Sequence, residues 1–443
     1  EHYAERIAKH DGDVGAFVTL TLDSAREQAA EADRAVASGE DLPDLHGVPI
    51  AIKDLNMVEG VPTKLGSKAF DDFVAPFSDF VVEKLRAAGT ISLGKTNTPE
   101  FGLPCYYETD VAPPARTPWD LTRSAGGSSG GAGAATAAGL VPFAQGSDGG
   151  GSVRIPASVC GLFGIKVSRG RISRGPLQGD LTGLSWDGPL ARTVRDAAAM
   201  LDAMAGPMTG DPHWAPPPPR PFLSYADTEP GRLRIGRTCE TTIAGAEIHP
   251  DVREAYDRAT ALLTDLGHIV EDVVTPYDET LTPAFETLWT VSAANVPVAP
   301  DREDLLQPLT RWLRERGRAT SATQFLAAMA LLQGATRRGL EATKEYDVLL
   351  TPTVAQPPVP VGWFRETGDP AEEFERMKRW TPFTAIFNMT GQPAVNVPLH
   401  WSADGLPIGS MLVGRPADEG TLISLSAQLE QARPWRDRHP AMW

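Results

Sequence analysis

Apolar residues recur along this chain at two periods. Val252, Tyr256, Ala259, Leu263 and Leu266 return every three or four residues and stop at Gly267, the pattern of one buried helix face with a glycine end. Residues 194–204 repeat it after Thr193, and Asp196 completes a capping box in which Asp replaces the usual Glu. Ser24–Ala37, rich in Ala, Glu and Arg, reads as a surface helix. Ser78 reads as the N-cap of a helix to about Ala88 closed by Gly89, Ala132–Gly139 as a short small-residue helix, 280–345 as helical, and 421–431 as a closing amphipathic helix. Short apolar runs bounded by turn residues alternate with these: Gly47–Leu55, Thr90–Gly94, Leu140–Ala144, Arg232–Gly236, Asp347–Thr351 and Ala394–Leu399. The alternation predicts an α/β fold whose sheet carries helices on both faces.

Two stretches break the rhythm. Asn97–Trp119 holds five prolines and reads as a long loop able to face a substrate. Pro216–Pro219 with Pro221 is stiff and extended, the best candidate boundary, read here as a surface crossing inside one fold. No internal repeat at a solenoid period is found.

Chemistry concentrates between Gly126 and Arg154, where ten glycines and two serine-bearing clusters fall within 29 residues. So many glycines are costly to order, yet they let main-chain N–H groups converge on one point and hold an anion or oxyanion. Ser152 follows Gly149, Gly150 and Gly151, and reads either as a nucleophile beside such donors or as a helix N-cap. Lys53 sits inside an apolar strand. Buried there, its charged form is disfavoured and it can accept a proton, whereas a lysine at a strand edge would simply snorkel to water. Gly126-x-Ser128-x-Gly130 also matches a nucleophile elbow, which would need a histidine such as His268 or His400. Ser92-x-x-Lys95 matches the SxxK pattern of penicillin-binding proteins without its SDN and KTG companions.

Composition narrows the class of function. The 443 residues are 42% apolar and 22% charged, with a net charge of −16 and a pI near 5.0. That balance argues against nucleic-acid or anionic-membrane partners. No uninterrupted apolar run is long enough for a spanning helix, and no signal peptide is read, so the cytoplasm is expected. Three cysteines at wide spacing, Cys105, Cys160 and Cys239, suit free thiols. Eight histidines without HxH or HxxxH spacing give no metal site, and there is no Walker or dinucleotide loop, so neither metal nor organic cofactor is expected. The chain opens at Glu1 within what reads as a helix, implying further native residues before it.

The residues resemble the amidase signature enzymes. The match lies in GVPIAIKD at Gly47–Asp54, GGSSGG at Gly126–Gly131, GSDGGGSVRIPAS at Gly146–Ser158 and CGLFGIK at Cys160–Lys166. Looser echoes run from the first helix to Gly405–Gly414. The resemblance implies a single domain over 1–443, an amidase signature fold with a central mixed β-sheet covered by helices on both faces. Its signature core would cover about 47–200 and a variable, substrate-shaping region about 210–380. It implies hydrolysis of a carboxylic amide by a Ser–cisSer–Lys triad: Ser152 as nucleophile, Ser128 as the bridging serine at a cis peptide, Lys53 as base. The N–H groups of Gly149, Gly150, Gly151 and Ser152 would hold the oxyanion. Ser129, Asp148 and Arg154 would brace the loops, with an Asp148–Arg154 ion pair. Gly149 stands where the family often has Thr, closer to the general and cyclic-amide branch. The implied partner is a small-molecule amide. An alternative is the amidase component of a glutamyl-tRNA(Gln) amidotransferase complex. The substrate itself is not legible: its pocket is expected from 97–120, 172–190 and 280–380, with Trp289, Trp363, Trp380 and Phe387 able to line it or to pack elsewhere. Oligomeric state is left open, a homodimer among the options.

Overall fold

The computed structural model describes residues 1–39, 41–177 and 181–443. Its centre is one eleven-stranded mixed sheet built from β1 (Phe17–Leu20), β2 (Pro49–Lys53), β3 (Ile91–Thr96), β4 (Phe143–Asp148), β5 (Phe163–Lys166), β6 (Trp186–Ala191), β7 (Arg234–Arg237), β8 (Ile269–Asp272), β9 (Val348–Pro352), β10 (Ala394–Trp401) and β11 (Pro407–Gly414), in the order β1-β3-β2-β4-β6-β5-β10-β11-β9-β7-β8. The β3, β2 and β4 strands run parallel, as do β9, β7 and β8, while the strands between these groups pair antiparallel. The sheet passes without a break across the proline run at 216–219, whose far side supplies β7 to β11.

Alternation along each strand separates two cores. Ile50 and Ile52 of β2 pack into one apolar cluster with helices Phe80–Ala87, Val194–Met204 and Glu419–Ala432; Ala51, between them, packs into another with helices His2–Val14, Gly130–Ala137 and Arg154–Cys160. Phe143 and Ala144 of β4 divide in the same way. Both faces are therefore covered, and the central strands are buried along their length. No helix among the described residues is long and apolar enough to cross a membrane.

Several expected elements shift. The helix expected from Ser78 begins at Phe80 after Asp79, and the Ser78 hydroxyl instead accepts the N–H of Glu59. The expected strand Leu140–Ala144 runs as Phe143–Asp148, through Gly146, Ser147 and Asp148, which have poor strand propensity. Tertiary pairing overrides propensity here, because each residue from Phe143 to Asp148 faces one on β6, Ala191 back to Trp186. Neither β5 nor β6 was expected; Gly188 and Pro189 inside β6 ordinarily argue against a central strand.

The helix Gly130–Ala137 is wholly buried and made of small residues. A Cβ at Gly131 would lie 2.5 Å from both the Ala16 carbonyl oxygen and the Asn97 nitrogen. Glycine at this point is what lets the helix sit against the β1 and β3 ends. Ala for Gly in a helix ordinarily gains up to about 1 kcal/mol; overpacking should reverse the sign, so Gly131→Ala is expected to lose about 1–3 kcal/mol in urea unfolding. A neutral or stabilised variant would contradict the contact.

Candidate active site

Three lysines are fully buried among the described residues, and their partners differ. Lys95 donates to Asp54 at 2.8 Å and to Thr63 at 3.1 Å. Lys166 donates to the carbonyls of Val167 and Gln392 at 2.9 and 2.6 Å. Lys53 alone is met chiefly by hydroxyls: Ser128 at 2.7 Å, Ser129 at 2.9 Å and Ser147 at 3.0 Å, with the Ser147 carbonyl further off at 3.4 Å. A hydroxyl can both give and take a proton, which a carbonyl cannot.

The fold explains this placement. Lys53 ends β2, so strand alternation sends its side chain the same way as Ala51, toward the face covered by Gly130–Ala137. Ser128 and Ser129 lead into that helix, Ser128 through a cis peptide with Gly127, as expected. Ser147 lies near the end of β4, the strand beside β2. With Lys53 0% exposed, desolvation pulls its pKa down to about 7, against the opposing pull of the Asp187 and Asp148 carboxylates.

The hydroxyls are not equivalent. Ser129 donates to the Ser147 carbonyl at 3.1 Å and accepts the Ser147 N–H at 3.1 Å, so toward Lys53 it can only accept. Ser128 is the nearest group able to exchange a proton with the amine. Among the described residues no hydrogen bond joins the Ser128 and Ser152 hydroxyls; the two loops are tied instead by the Ser129 N–H, which donates to the Ser152 carbonyl at 3.3 Å.

Asp148 organises the second loop. Arg154 grips it with two prongs, Nε to Oδ2 at 2.9 Å and Nη2 to Oδ1 at 2.8 Å, both groups wholly buried. The Asn388 amide and the N–H groups of Gly151 and Val153 also reach the carboxylate, at 2.9, 2.8 and 3.1 Å. Burial is the largest influence on Asp148 and opposes its ionisation, but the Arg154 guanidinium, the Asn388 amide and Lys166 together outweigh it and hold the carboxyl well below its usual range. One expected donor is lost in the process: the Gly151 N–H points into this network, so it does not serve an oxyanion. Its φ of +132° is a conformation that favours glycine, and a Cβ there would meet the Thr384 hydroxyl at 2.5 Å. That hydroxyl donates to the Gly150 carbonyl at 2.5 Å. Gly149, Gly150 and Ser152 remain as main-chain donors.

Ser152, 6% exposed, and Gly150 line a cavity of about 740 Å³, open mouth included. Of the aromatic residues considered from sequence, Trp289 lines it. Trp380 packs against Phe364, Trp363 sits edge-on to the same ring, and Phe387 joins a separate apolar cluster. The expected wall segments 97–120 and 280–380 contribute Leu103 to Cys105, and Leu281 to Trp289 with Phe374 to Lys378; Thr242 and Ile243 come from the wider variable region of 210–380, and Thr381 to Met389 lie just beyond it. No residue of 172–190 lines the cavity among those described; 178–180 lie outside them. Arg174 and Asp187 from this segment instead stand behind Lys53. Asp187 is fully buried, accepts from Gln145 at 2.8 Å, and has Arg174 3.8 Å away. Gln145 in turn accepts the Lys53 main-chain N–H at 2.8 Å.

The rival motifs come apart. His268 accepts the Leu233 N–H at 3.1 Å and contacts Gln428 at 2.9 Å, and His400 lies on β10 opposite Ile408; neither is bonded to Ser128. In the SxxK match, Lys95 is held by Asp54 rather than by Ser92. Missed in sequence were Ser147, Gln145, Asp187, Thr384 and Asn388. Ser147 lay inside the second glycine cluster and strand neighbourhood could have flagged it; Thr384 and Asn388 arrive from more than 230 positions away, with no local signal.

The family model described as Amidase matches residues 1–423. An acylamidase from Rhodococcus erythropolis is 34% identical over 456 residues, covering 100% of this chain and 93% of its own. The solved 6-aminohexanoate cyclic dimer hydrolase, complexed with substrate, superposes with a TM-score of 0.92 at 32% identity, over 100% of this chain and 94% of that one. A solved component of the glutamyl-tRNA(Gln) amidotransferase of Thermotoga maritima reaches 0.80 at 29% identity, over 98% and 91%. The chain belongs to the amidase family, the amidase signature hydrolases that act on carbon–nitrogen amide bonds.

Proposed function

We propose that this amidase cleaves its amide through an acyl-enzyme on Ser152, with Ser128 and Lys53 as the proton relay. The observation that carries the reading is the buried Lys53 amine, held by hydroxyls and with its proton affinity lowered to about 7. The Ser152 oxygen attacks the amide carbonyl carbon. Its proton passes to Ser128 as the Ser128 proton passes to Lys53. A turn of the Ser152 side chain, or one water between the two hydroxyls, closes this path when substrate is seated. Negative charge on the carbonyl oxygen is taken by the N–H groups of Gly149, Gly150 and Ser152. On collapse the C–N bond breaks, and the proton returns from Lys53 through Ser128 to the departing nitrogen. Water then adds to the ester by the same relay and frees the acid and Ser152.

Ser129, Asp148 and Arg154 position these groups: Ser129 by accepting from Lys53 and fixing Ser152's carbonyl, Asp148 and Arg154 by shaping the Gly149–Ser152 turn. The amidotransferase reading, in which the same relay frees ammonia from glutamine for a partner enzyme, has less support: the acidic balance disfavours close tRNA contact, and the overlap with the amidotransferase component is lower than with the cyclic dimer hydrolase.

Ser152→Ala should abolish amine or ammonia release while the circular-dichroism melt stays unchanged; an active variant removes Ser152 from the nucleophile's role. Neutral Lys53 predominates above about pH 7 and is lost below it. The rate constant kcat/KM should therefore drop about tenfold per pH unit on the acid side and level off above, and a profile flat down to about pH 5 would count against a lysine base. Removing one hydroxyl that accepts from the ammonium favours the neutral amine, so Ser147→Ala should move the acid limb to lower pH and reduce kcat, with Ser147→Thr restoring both. An unmoved limb would make Ser147 a packing residue only.

A further inference from the structure

The cavity beside Ser152 is unusual in its charge. Among the described residues that line it, Lys378 is the only charged one, and its ammonium is already held by Glu286 at 2.5 Å and Glu375 at 2.6 Å. Cys105, also in the wall, is buried and its thiol is pushed well above its ordinary pKa, so it adds no charge. A substrate bearing a carboxylate or ammonium would therefore lose its hydration without gaining a free partner, and an isolated buried charge costs far more than a neutral group.

One wall is aromatic and flat. Phe285 and Trp289, one turn apart on the helix Leu281–Asn295, stack with ring centroids 5.3 Å apart and planes within 23°. They lie directly over the turn that carries the candidate oxyanion donors. A Cβ at Gly149 would stand 3.4 Å from the Trp289 ring and 3.3 Å from the Ser185 side chain, and one at Gly150 3.5 Å from Phe285. At these spacings the two rings sit within ordinary van der Waals contact of the turn, which places them beside the reacting end of the cavity.

From this we infer that the site takes uncharged amides carrying an aryl or comparably flat apolar group, with Trp289 and Phe285 as the residues that set this preference. The inference rests on Ser152 as the nucleophile, since that residue fixes where the reacting carbonyl lies relative to the rings. A planar group stacked on Trp289 keeps its apolar faces from water and makes no demand for a counter-ion. Free glutamine, with both charges next to its reacting chain, is the opposite case.

The test compares pairs matched in shape. On the full-length enzyme, 4-methylbenzamide is set against 4-carboxybenzamide, and 4-methylacetanilide against 4-acetamidobenzoate, with L-glutamine as a further substrate. In whichever pair is turned over, the neutral member should lead in kcat/KM by about 100-fold or more, as expected when a charge is refused a partner, and glutamine should give no ammonia. Trp289→Ala should raise KM for the neutral aryl substrate about tenfold with kcat little changed, the loss of one aromatic contact, and Trp289→Phe should recover most of it. Phe285→Leu, a milder change, should show the same KM effect if Trp289→Ala folds poorly. Labelling of Ser152 by a small fluorophosphonate separates the two levels of the argument. Labelled enzyme that prefers the charged members, hydrolyses glutamine or ignores both neutral amides overturns this inference alone; enzyme that is not labelled overturns the nucleophile reading and this one with it.

Discussion

An amine with no access to water and no carboxylate in contact is the constraint around which this molecule is arranged. Lys53 is stabilised by three serine hydroxyls and one distant carbonyl, enough to keep it in place and too little to keep it firmly protonated. Had Asp54, next in sequence, turned toward it, the pair would have been an ordinary buried ion pair. The fold prevents this by giving Asp54 its own partner, Lys95, on the neighbouring strand. Two lysines and one carboxylate thus end with unequal roles because strand alternation points them to different places.

The second organising charge works in the reverse sense. Asp148 is as deeply buried as Lys53, yet it is kept ionised by a two-pronged arginine, an asparagine amide and main-chain donors. Each bond pins one part of the loop between β4 and the helix Arg154–Cys160, so the turn at Gly149–Ser152 has a defined shape before any substrate arrives. The Gly151 N–H is given up to that shaping, bonded to Asp148 rather than turned toward the cavity that Gly150 and Ser152 line.

Behind Lys53 lies a third layer. Asp187, through Gln145, reaches the Lys53 main chain, and Arg174 balances its charge from a more exposed position. Burial raises the proton affinity of Asp187, and its field supports the charged form of Lys53 against desolvation. The proton affinity of the amine is therefore the balance of one large unfavourable effect and several smaller favourable ones, a balance that a pairwise list of contacts does not display.

The sequence by itself determined the parts of this protein that are local. Helix faces at 194–204 and 250–266, apolar strands at 47–55, 347–351 and 394–399, and the glycine and serine clusters between 126 and 154 were legible because periodicity and turn chemistry act over a few residues. The lysine and two serines could be singled out by residue type and setting, and the resemblance to a family joined them. Only the tertiary structure decided which hydroxyls meet the amine, that Gly151 faces inward, that β5 and β6 run through the middle of the sheet despite Gly188 and Pro189, and that Trp289 rather than Trp363 or Trp380 walls the cavity. Those outcomes depend on contacts between residues far apart in the chain, 240 positions in the case of Asp148 and Asn388, where burial and pairing outweigh every local preference.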